Sequence, residues 1–499
     1  MTHFIGIDLG TTFSAVSVLD ETGSPKIVHN SEGQNITPSN VAKIDGKYCV
    51  GESARRAWCQ NQREAGGRFK RDMGTNKTYS VGDKEFMPTE LSALILKKLA
   101  QDVVTQIGEI GEAVVTIPAN FGNEAREATM SAAKQAGLNV RFIINEPTAA
   151  ALYYAYKEKG GMHGVYAVYD LGGGTFDISI IRVDSHDVEV LATNGIRHLG
   201  GDDFDKALHK IVCGKYQRTT GKAADERDYD FDAVEDDKKA LSQRQKIRVK
   251  VNRELIEVSR EEFNESISSL VAQAEMACES AMEEADIAPS NIQGVLLAGG
   301  STRVPIVRES IKRIFQQEPI ASANVDEVVS MGAVLYAAYK GDQSQMSALQ
   351  KKFIQQIDFA EKTSMFFGTT AMARNTERNT EKLVNSIMIK KGEAIPCSVT
   401  EPFYTMVDGQ TMLQCDVTES SHAETDPNFV TKMWEEHMKL PPGRPAGQEI
   451  QVTFSYDENQ VMHCVFLDVK SGNKQEIRLS TTQSSNNDGE HDVEKFTVE

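Results

Sequence analysis

Through the first 340 residues, short apolar runs rich in β-branched side chains alternate with longer stretches in which apolar positions recur every three or four residues. The runs His3 to Ile7, Ala15 to Leu19, Ala113 to Ile117, Val165 to Tyr169, Ile178 to Val183 and Gly294 to Leu297 predict strands. The periodic stretches Pro88 to Thr105, Asn123 to Ala136, Thr148 to Lys157, Asp203 to Cys213 and Glu261 to Ala285 predict helices. Strands and helices in alternation are the rhythm of an α/β architecture. After Gly341 the texture changes: Asp342 to Lys352 is polar and reads as a connector. From about Ile387, short alternating segments separated by turns at Met406 to Gly409, Asp457 to Gln460 and Ser471 to Lys474 predict a small β domain. The stretch from Thr481 to Glu499 is polar and acidic and reads as a loose tail.

One pattern occurs twice. Phe4-Ile-Gly-Ile-Asp8-Leu-Gly-Thr-Thr-Phe-Ser is echoed by Tyr166-Ala-Val-Tyr-Asp170-Leu-Gly-Gly-Gly-Thr-Phe-Asp177. A strand, a D-L-G turn and a returning strand in duplicate imply two related lobes facing each other across a cleft, each supplying one glycine-rich hairpin.

Length and charge narrow the possibilities. A chain of 499 residues is long enough for about three domains, or for a large two-lobed unit with an appendage. Seventy-two acidic against 54 basic residues leave a formal charge of −18, which repels phosphate backbones and anionic headgroups; nucleic-acid and membrane-surface partners are not expected. No apolar run approaches the ~20 residues of a membrane-spanning helix, and no basic leader precedes a long apolar segment, so a cytoplasmic location is expected. Seven cysteines without C-x-x-C spacing read as reduced, structural thiols.

Four glycine-bearing turns carry candidate chemistry. Asp8-Leu-Gly10-Thr11-Thr12 ends a strand in a carboxylate and follows it with a turn bearing two hydroxyls, a pattern that presents donors to a phosphate while the carboxylate orients a hydrated cation; a surface hairpin is the alternative. In Asp170-Leu-Gly172-Gly173-Gly174-Thr175-Phe-Asp177, three bare backbone positions allow close approach to an oxyanion. Gly299-Gly300-Ser301-Thr302-Arg303 follows an apolar strand and precedes a helical run, so a flat ring can lie on the backbone near a helix N-terminus; a plain strand-to-helix turn is the alternative. His198-Leu-Gly200-Gly201-Asp202-Asp-Phe-Asp205 is the fourth. No G-x-x-x-x-G-K-[ST] loop occurs, so a nucleotide would be held by another cradle.

Taken in order, I-D-L-G-T-T, I-I-N-E-P-T-A-A-A (Ile143 to Ala151), Y-D-L-G-G-G-T-F-D, H-L-G-G-D-D-F-D and L-A-G-G-S-T-R-V-P resemble the 70-kDa heat-shock (DnaK-like) chaperone family, a branch of the actin, sugar-kinase and chaperone ATPase superfamily. The stretch Phe69-Lys-Arg-Asp-Met-Gly-Thr-Asn, with a shortened insert after it, is similar to the bacterial HscC-type subgroup. The resemblance implies an actin-like two-lobed ATPase domain with duplicated α/β subdomains over residues 1–341, a linker at 342–358, a small antiparallel β-sandwich at 359–480 and a tail at 481–499. It also implies ATP and ADP with Mg2+, hydrolysis to ADP and phosphate, extended apolar polypeptide clients, a J-domain co-chaperone and a nucleotide exchange factor.

Site residues follow from the same resemblance. Asp8 and Asp170 would face magnesium through water; Lys70, Glu146, Asp170, Thr175 and Asp177 would be the catalytic set. Gly10, Thr11, Thr12, Gly172, Gly173, Gly174 and Thr175 would cradle phosphates, with Gly200, Gly201 and Asp202 nearby. Gly299, Gly300, Ser301 and Arg303, with Glu235, Lys238, Lys239 and Ser242 of a helix resembling the family's E-x-x-K-R-x-x-S element, would receive the adenosine. Lys239 stands where many members carry arginine, so guanidinium stacking on the base would be lost. Phe403, Met406, Leu413 and Cys415 fall where the family lines its peptide pocket; inward-facing sandwich residues are the alternative.

Three departures stand out. Gln355 and Gln356 interrupt the apolar connector Phe353-Ile-Gln-Gln-Ile357, Glu361 to Gly368 has lost most of the first sandwich strand's pattern, and a helical lid is expected to be absent. The alternative function is a nucleotide-dependent regulator or co-chaperone with one dedicated partner. A filament-forming actin relative and a small-molecule kinase share the superfamily fold, but N-E-P-T-A-A-A and H-L-G-G-D-D-F-D point to the chaperone branch.

Overall fold

Strand β1 (His3–Asp8) is apolar on both sides, as a strand covered on both faces must be: Ile5 and Ile7 enter one core cluster and Phe4 another. It turns back into β2 (Phe13–Leu19), flanked by β3 (Pro25–Ile27) and β4 (Thr37–Pro38). Next come β5 (Asn40–Ile44), β6 (Lys47–Val50), helix α1 (Glu52–Cys59) and β7 (Ala65–Gly67), whose strands form a separate small sheet in the order β6-β5-β7. A 3-10 turn (Phe69–Asp72) and the hairpin β8 (Tyr79–Val81) and β9 (Lys84–Phe86) lead to α2 (Pro88–Gln106), β10 (Ile110–Ile117), α3 (Asn123–Gln135) and β11 (Val140–Asn145). The main sheet of this lobe runs β11-β10-β1-β2-β3, with β1, β10 and β11 parallel and β2 antiparallel to β1.

Helix α4 (Glu146–Lys157) opens the second lobe: β12 (His163–Leu171), β13 (Phe176–Asp184), β14 (Asp187–Ile196), α5 (Gly201–Thr220), α6 (Phe231–Gln243), β15 (Lys246–Val251), β16 (Glu254–Ser259), α7 (Arg260–Glu284), β17 (Ile292–Ala298), α8 (Pro305–Phe315) and α9 (Val328–Lys340). Its sheet runs β14-β13-β12-β17, with β12 antiparallel to β13 and parallel to β17. The plan repeats the first lobe's: β12, β13, β14 and β17 correspond to β1, β2, β3 and β10. A parallel bridge from Leu296 to Ile320 occupies the place of β11. The sequence echo is thus a structural duplication.

Helices α4 and α9 pack on each other and, with residues of both sheets, form one central core. Both are apolar nearly all round, which suits helices enclosed by protein. They meet so closely at Gly332 that a Cβ there would overlap the backbone of Ala149. The second lobe's outer face has its own core, in which Phe176, Ile178 and Ile180 of β13 meet Phe204, Phe263, Ile267 and Phe315.

This computed structural model describes all residues except 1–2, 61–63, 159–160, 185–186, 321–323, 355–362, 364, 376–379, 458–460, 479–495, 497 and 499. The chain divides into two compact units, residues 1–121 and 128–359 with 486–499, and residues 360–485 with 122–127. The connector expected at 342–358 is helical over α10 (Ala348–Ile354). Met346 and Ile354 are buried in the central core, and Gln350 Nε2 donates to the Asp20 carbonyl at 2.9 Å. Two small apolar anchors and one amide therefore seat a segment that looks polar in sequence. Gln355, Gln356 and Ile357 lie outside the described residues. Of the tail expected at 481–499, Phe496 and Val498 are described; both join the apolar cluster of the first lobe.

The second unit is built from β18 (Phe366–Asn375), β19 (Thr380–Ile389), β20 (Cys397–Tyr404), β21 (Met412–Ser420), β22 (Thr431–Lys439), β23 (Glu449–Tyr456), β24 (Met462–Asp468) and β25 (Lys474–Arg478). They form two antiparallel four-stranded sheets, β19-β18-β21-β22 and β20-β23-β24-β25. Ile450, Val452, Phe454 and Tyr456 alternate inward along β23 with the period of a half-buried strand, and meet Phe367, Ile389, Val417 and Cys464 in the core. Although its sequence pattern is faint, the first strand forms: Phe366 onward is β18, paired with β19 and β21.

Candidate active site

Each lobe delivers a hairpin turn to the same cleft. In the first, Asp8 pairs with Ala15, and the turn is pinned by Gly10 N donating to Ser14 Oγ at 3.2 Å and Ser39 Oγ donating to the Gly10 carbonyl at 2.8 Å. In the second, Asp170 lies opposite Asp177, and Gly172 N closes the turn on the Thr175 carbonyl at 3.1 Å. Thr12 and Gly173 meet across the cleft: a Cβ on Gly173 would run into the Thr12 side chain. The buried Thr12 Oγ1 has no hydrogen-bond partner among the described residues, an orphan donor suited to a phosphate oxygen.

The Gly200–Asp202 turn buttresses this cradle. Gly201 N donates to the Gly172 carbonyl at 3.1 Å, Asp202 N to the Gly173 carbonyl at 2.6 Å, and Ser301 Oγ to the Gly172 carbonyl at 2.8 Å. A Cβ on Gly200 would meet the Gly173 and Gly174 backbone at 2.6–2.7 Å, so two loops distant in sequence interlock through bare backbone.

Behind the hairpins lies a cluster of charge. Lys70, on the 3-10 turn, is 5% exposed and its Nζ lies 2.5 Å from Glu146 Oε1, at the first turn of α4. Burial disfavours its ammonium, yet Glu146 and Asp8 hold its pKa above the ordinary lysine value. Burial and the charge of Glu146 lift Asp8 to about 7, against the pull of Lys70 and of the Thr116 hydroxyl, which donates at 3.1 Å. Burial and Glu146 likewise lift Asp177 to about 7; Asn120 Nδ2 donates to it at 3.3 Å. Asp170 is raised well above the carboxylate range by burial, then by Glu146, Asp177 and Asp8. Four carboxylates thus share one ammonium, an excess of negative charge that a divalent cation would relieve. Among the described residues no group of three or more His, Cys, Asp or Glu side chains is placed to hold a metal ion.

On the far side, Gly299 adopts φ +78° where β17 ends, Ser301 is buried, and Arg303 Nη2 lies 2.8 Å from Asp326 Oδ2. Lys238 is buried between Asp205, at 2.8 Å, and the Gly201 carbonyl, at 3.1 Å. Burial lifts Asp205 to about 6 even so. Lys239 points to Glu235 at 2.9 Å with its side chain 60% exposed, and Ser242 Oγ donates to the Lys238 carbonyl at 3.2 Å within α6.

Three arginines that sequence reasoning missed join the lobes across the cleft. Arg55 of α1 reaches Asp232 at 2.6 Å and Glu235 at 2.5 Å on α6. Arg68 pairs with Asp202 and lies over the Trp58 ring at 4.6 Å. Arg71 donates to the Gly174 carbonyl and to His198 Nδ1, the latter at 3.1 Å. For Arg68 and Arg71 the hint in sequence is the basic run Arg68-Phe-Lys-Arg71, and the Asp202 that Arg68 pairs with is 134 residues away.

In the sandwich, the four residues singled out do not share one environment. Cys415 is fully buried in the core, with Leu413 and Phe403 half-buried against it. Met406 is exposed, as are Tyr404, Val407 and Met412 at the β20–β21 connection.

Duplicated α/β lobes with paired D-L-G hairpins, a lysine among carboxylates and a glycine-lined cleft define a two-lobed ATPase of the actin-like fold. Within that class the model of the family described as Hsp70 protein matches residues 4–498, and the chain belongs to the Hsp70 family. Members of this family are ATP-dependent chaperones that bind ATP or ADP with Mg2+, engage client polypeptides and work with J-domain and exchange-factor partners. No helix among the described residues is long and apolar enough to cross a membrane.

Proposed function

We propose that this chain hydrolyses ATP at the Lys70 cluster and couples turnover to binding of extended apolar peptide segments. The observation that carries this reading is the Lys70–Glu146 pair set among Asp8, Asp170 and Asp177 behind two facing hairpin turns. Thr11, Thr12 and the Gly172–Thr175 turn bind phosphate oxygens through hydroxyls and backbone N–H groups. The Lys70 ammonium neutralises charge that builds on the transferring phosphoryl group, a step that needs positioning and electrostatics more than covalent help. Asp177 and Glu146 orient the attacking water and accept its proton; a carboxylate lifted to about 7 is matched to that task near neutral pH. Asp8 and Asp170 are the groups that would hold Mg2+ through its water shell, and the ion would supply charge stabilisation at the phosphates.

The arrangement around Gly299, Gly300, Ser301 and Arg303 receives the adenosine, with Lys238 supporting the wall from behind and Lys239 tied to Glu235 at the rim. Within the family, the stretch Phe69-Lys-Arg-Asp-Met-Gly-Thr-Asn and the short insert after it favour the HscC-type subgroup. Seven cysteines without C-x-x-C spacing suit a reducing, cytoplasmic setting.

The test is steady-state turnover with single-turnover controls. Lys70→Ala is expected to bind ATP and to lose at least 100-fold in hydrolysis; unchanged turnover would remove the catalytic assignment. Several unrelated apolar peptides are expected to stimulate the wild-type chain, whereas response to one protein alone would favour a dedicated regulator.

A further inference from the structure

The small sheet of the first lobe ends in β6, and an edge strand offers a row of backbone groups to any extended segment that fits beside it. Val498 takes that place: it bridges in parallel to Tyr48 and is buried in the cluster that holds Tyr48, Val50, Val81 and Phe86. Two residues earlier in the sequence, Phe496 packs edge-on against Tyr48, with centroids 5.0 Å apart, and Phe86, at 5.8 Å. Lys84 Nζ stands 4.5 Å from the centre of the Phe496 ring, and Lys97 Nζ donates to the Phe496 carbonyl at 2.9 Å. A backbone bridge, an apolar slot, a cation over the ring and a lysine on a main-chain carbonyl are together the parts of a strand-addition site. Charge agrees in balance: the groove carries Lys84 and Lys97, and the segment's sequence neighbours are Asp492, Glu494 and Glu499 against the one lysine Lys495.

We propose that β6, β9 and α2 form a docking groove for an extended Phe-x-Val segment, filled by this chain's own Phe496 and Val498 as a releasable intramolecular ligand. The groove uses none of the residues of the Lys70 cluster. Seventeen residues lie between Arg478, at the end of β25, and Phe496 in the sequence.

Hydrogen exchange on the full chain tests this. In Phe496→Asp/Val498→Asp, exchange at Tyr48–Val50 and Lys84–Phe86 is expected to quicken at least 10-fold, with the amides of β1 and β12 and the basal ATP turnover unchanged. A synthetic peptide of residues 491–499 added to this variant is expected to restore the lost protection saturably. Four results overturn the proposal: unchanged protection in the double variant; protection lost throughout the first unit, or a variant that does not fold, which would make the segment an integral part of the core; failure of the peptide to restore protection; or a concentration-dependent wild-type dimer that the double variant abolishes, which would place a second copy's segment in the groove.

Discussion

Arg55 offers the clearest measure of what closes the nucleotide cleft. It joins α1 of the first lobe to Asp232 and Glu235 on α6 of the second. Glu235 reports the strength of the attraction: burial works against its charge, yet Lys238, Arg55 and Lys239 bring it from 4.5 down to about 2. That fall corresponds to about 3 kcal/mol in favour of the ionised form. Shared among three cations, about 1 kcal/mol belongs to Arg55, and the more exposed Asp232 adds 0 to about 1 kcal/mol. Arg55→Ala therefore removes about 1–2 kcal/mol of closure, and bound nucleotide is expected to leave about 5–30-fold faster. Stopped-flow release of a fluorescent ADP analogue measures this directly, with thermal unfolding as a control for the fold. A carboxylate lowered in the folded state contributes its stabilisation above the unfolded pKa and loses it as pH falls through the folded value. The acceleration should therefore be constant from pH 5 to 8. Glu235→Gln should reproduce part of it, and the double variant should gain less than the sum of the two. Release within two-fold of wild type in both single variants would refute the assignment of Arg55 as a closure contact.

Three further outcomes are expected. Gly173→Ala drives a Cβ into Thr12 and should weaken ATP binding at least 10-fold in calorimetry while the second unit's unfolding is unchanged. Asp177 is raised from 3.8 to about 7 by burial and by Glu146, so the nucleotide-free chain gains stability from its protonated form below pH ~4 and loses it as pH rises through about 7, by up to about 4 kcal/mol. Asp177→Asn should flatten that decline in scanning calorimetry between pH 5 and 8; a parallel decline would count against it. In the sandwich, Thr369 Oγ1 at 2.9 Å, Thr370 N at 2.6 Å and Thr370 Oγ1 all donate to the buried Asp416; Asp416→Ala should lower the second unit's stability by about 2–4 kcal/mol in denaturant melts and leave basal ATP turnover unaltered.

Much of the first unit is legible because its signals are local. Asp8-Leu-Gly10 and Asp170-Leu-Gly172 announce their hairpins within a dozen residues, and the predicted strands fall inside β1, β2, β10, β12, β13 and β17. What escaped is decided at long range. Arg55, Arg68 and Arg71 look like solvated surface charges until the fold brings Glu235, Asp202 and Gly174 to them. The polarity of 342–352 hides the fact that Met346 and Ile354 suffice to seat α10. Likewise, Phe496 and Val498 are two apolar residues in an acidic stretch, and only the edge of β6 gives them a place. In the sandwich, β21 buries every residue from Cys415 to Glu419 and leaves Met412 exposed, a run that alternation along the strand does not announce.

The duplication also explains why a ligand can drive the lobes together. Neither half is a complete site. The first lobe supplies Asp8, Thr12 and Lys70, the second supplies Asp170, the Gly172–Thr175 turn and Asp177, and Glu146 stands at the head of α4, in the core that joins them. With four carboxylates and one ammonium, closure of the cleft without a ligand concentrates negative charge, as the raised Asp8, Asp170 and Asp177 record. On the proposed roles, a polyphosphate with its cation would meet the orphan hydroxyl of Thr12 and relieve that charge only when both hairpins face it, and so would bind the closed arrangement better than the open one. That difference in affinity is all that is needed to turn nucleotide binding into motion of the lobes. Hydrolysis, by severing the terminal phosphate from the rest, would remove part of the same difference.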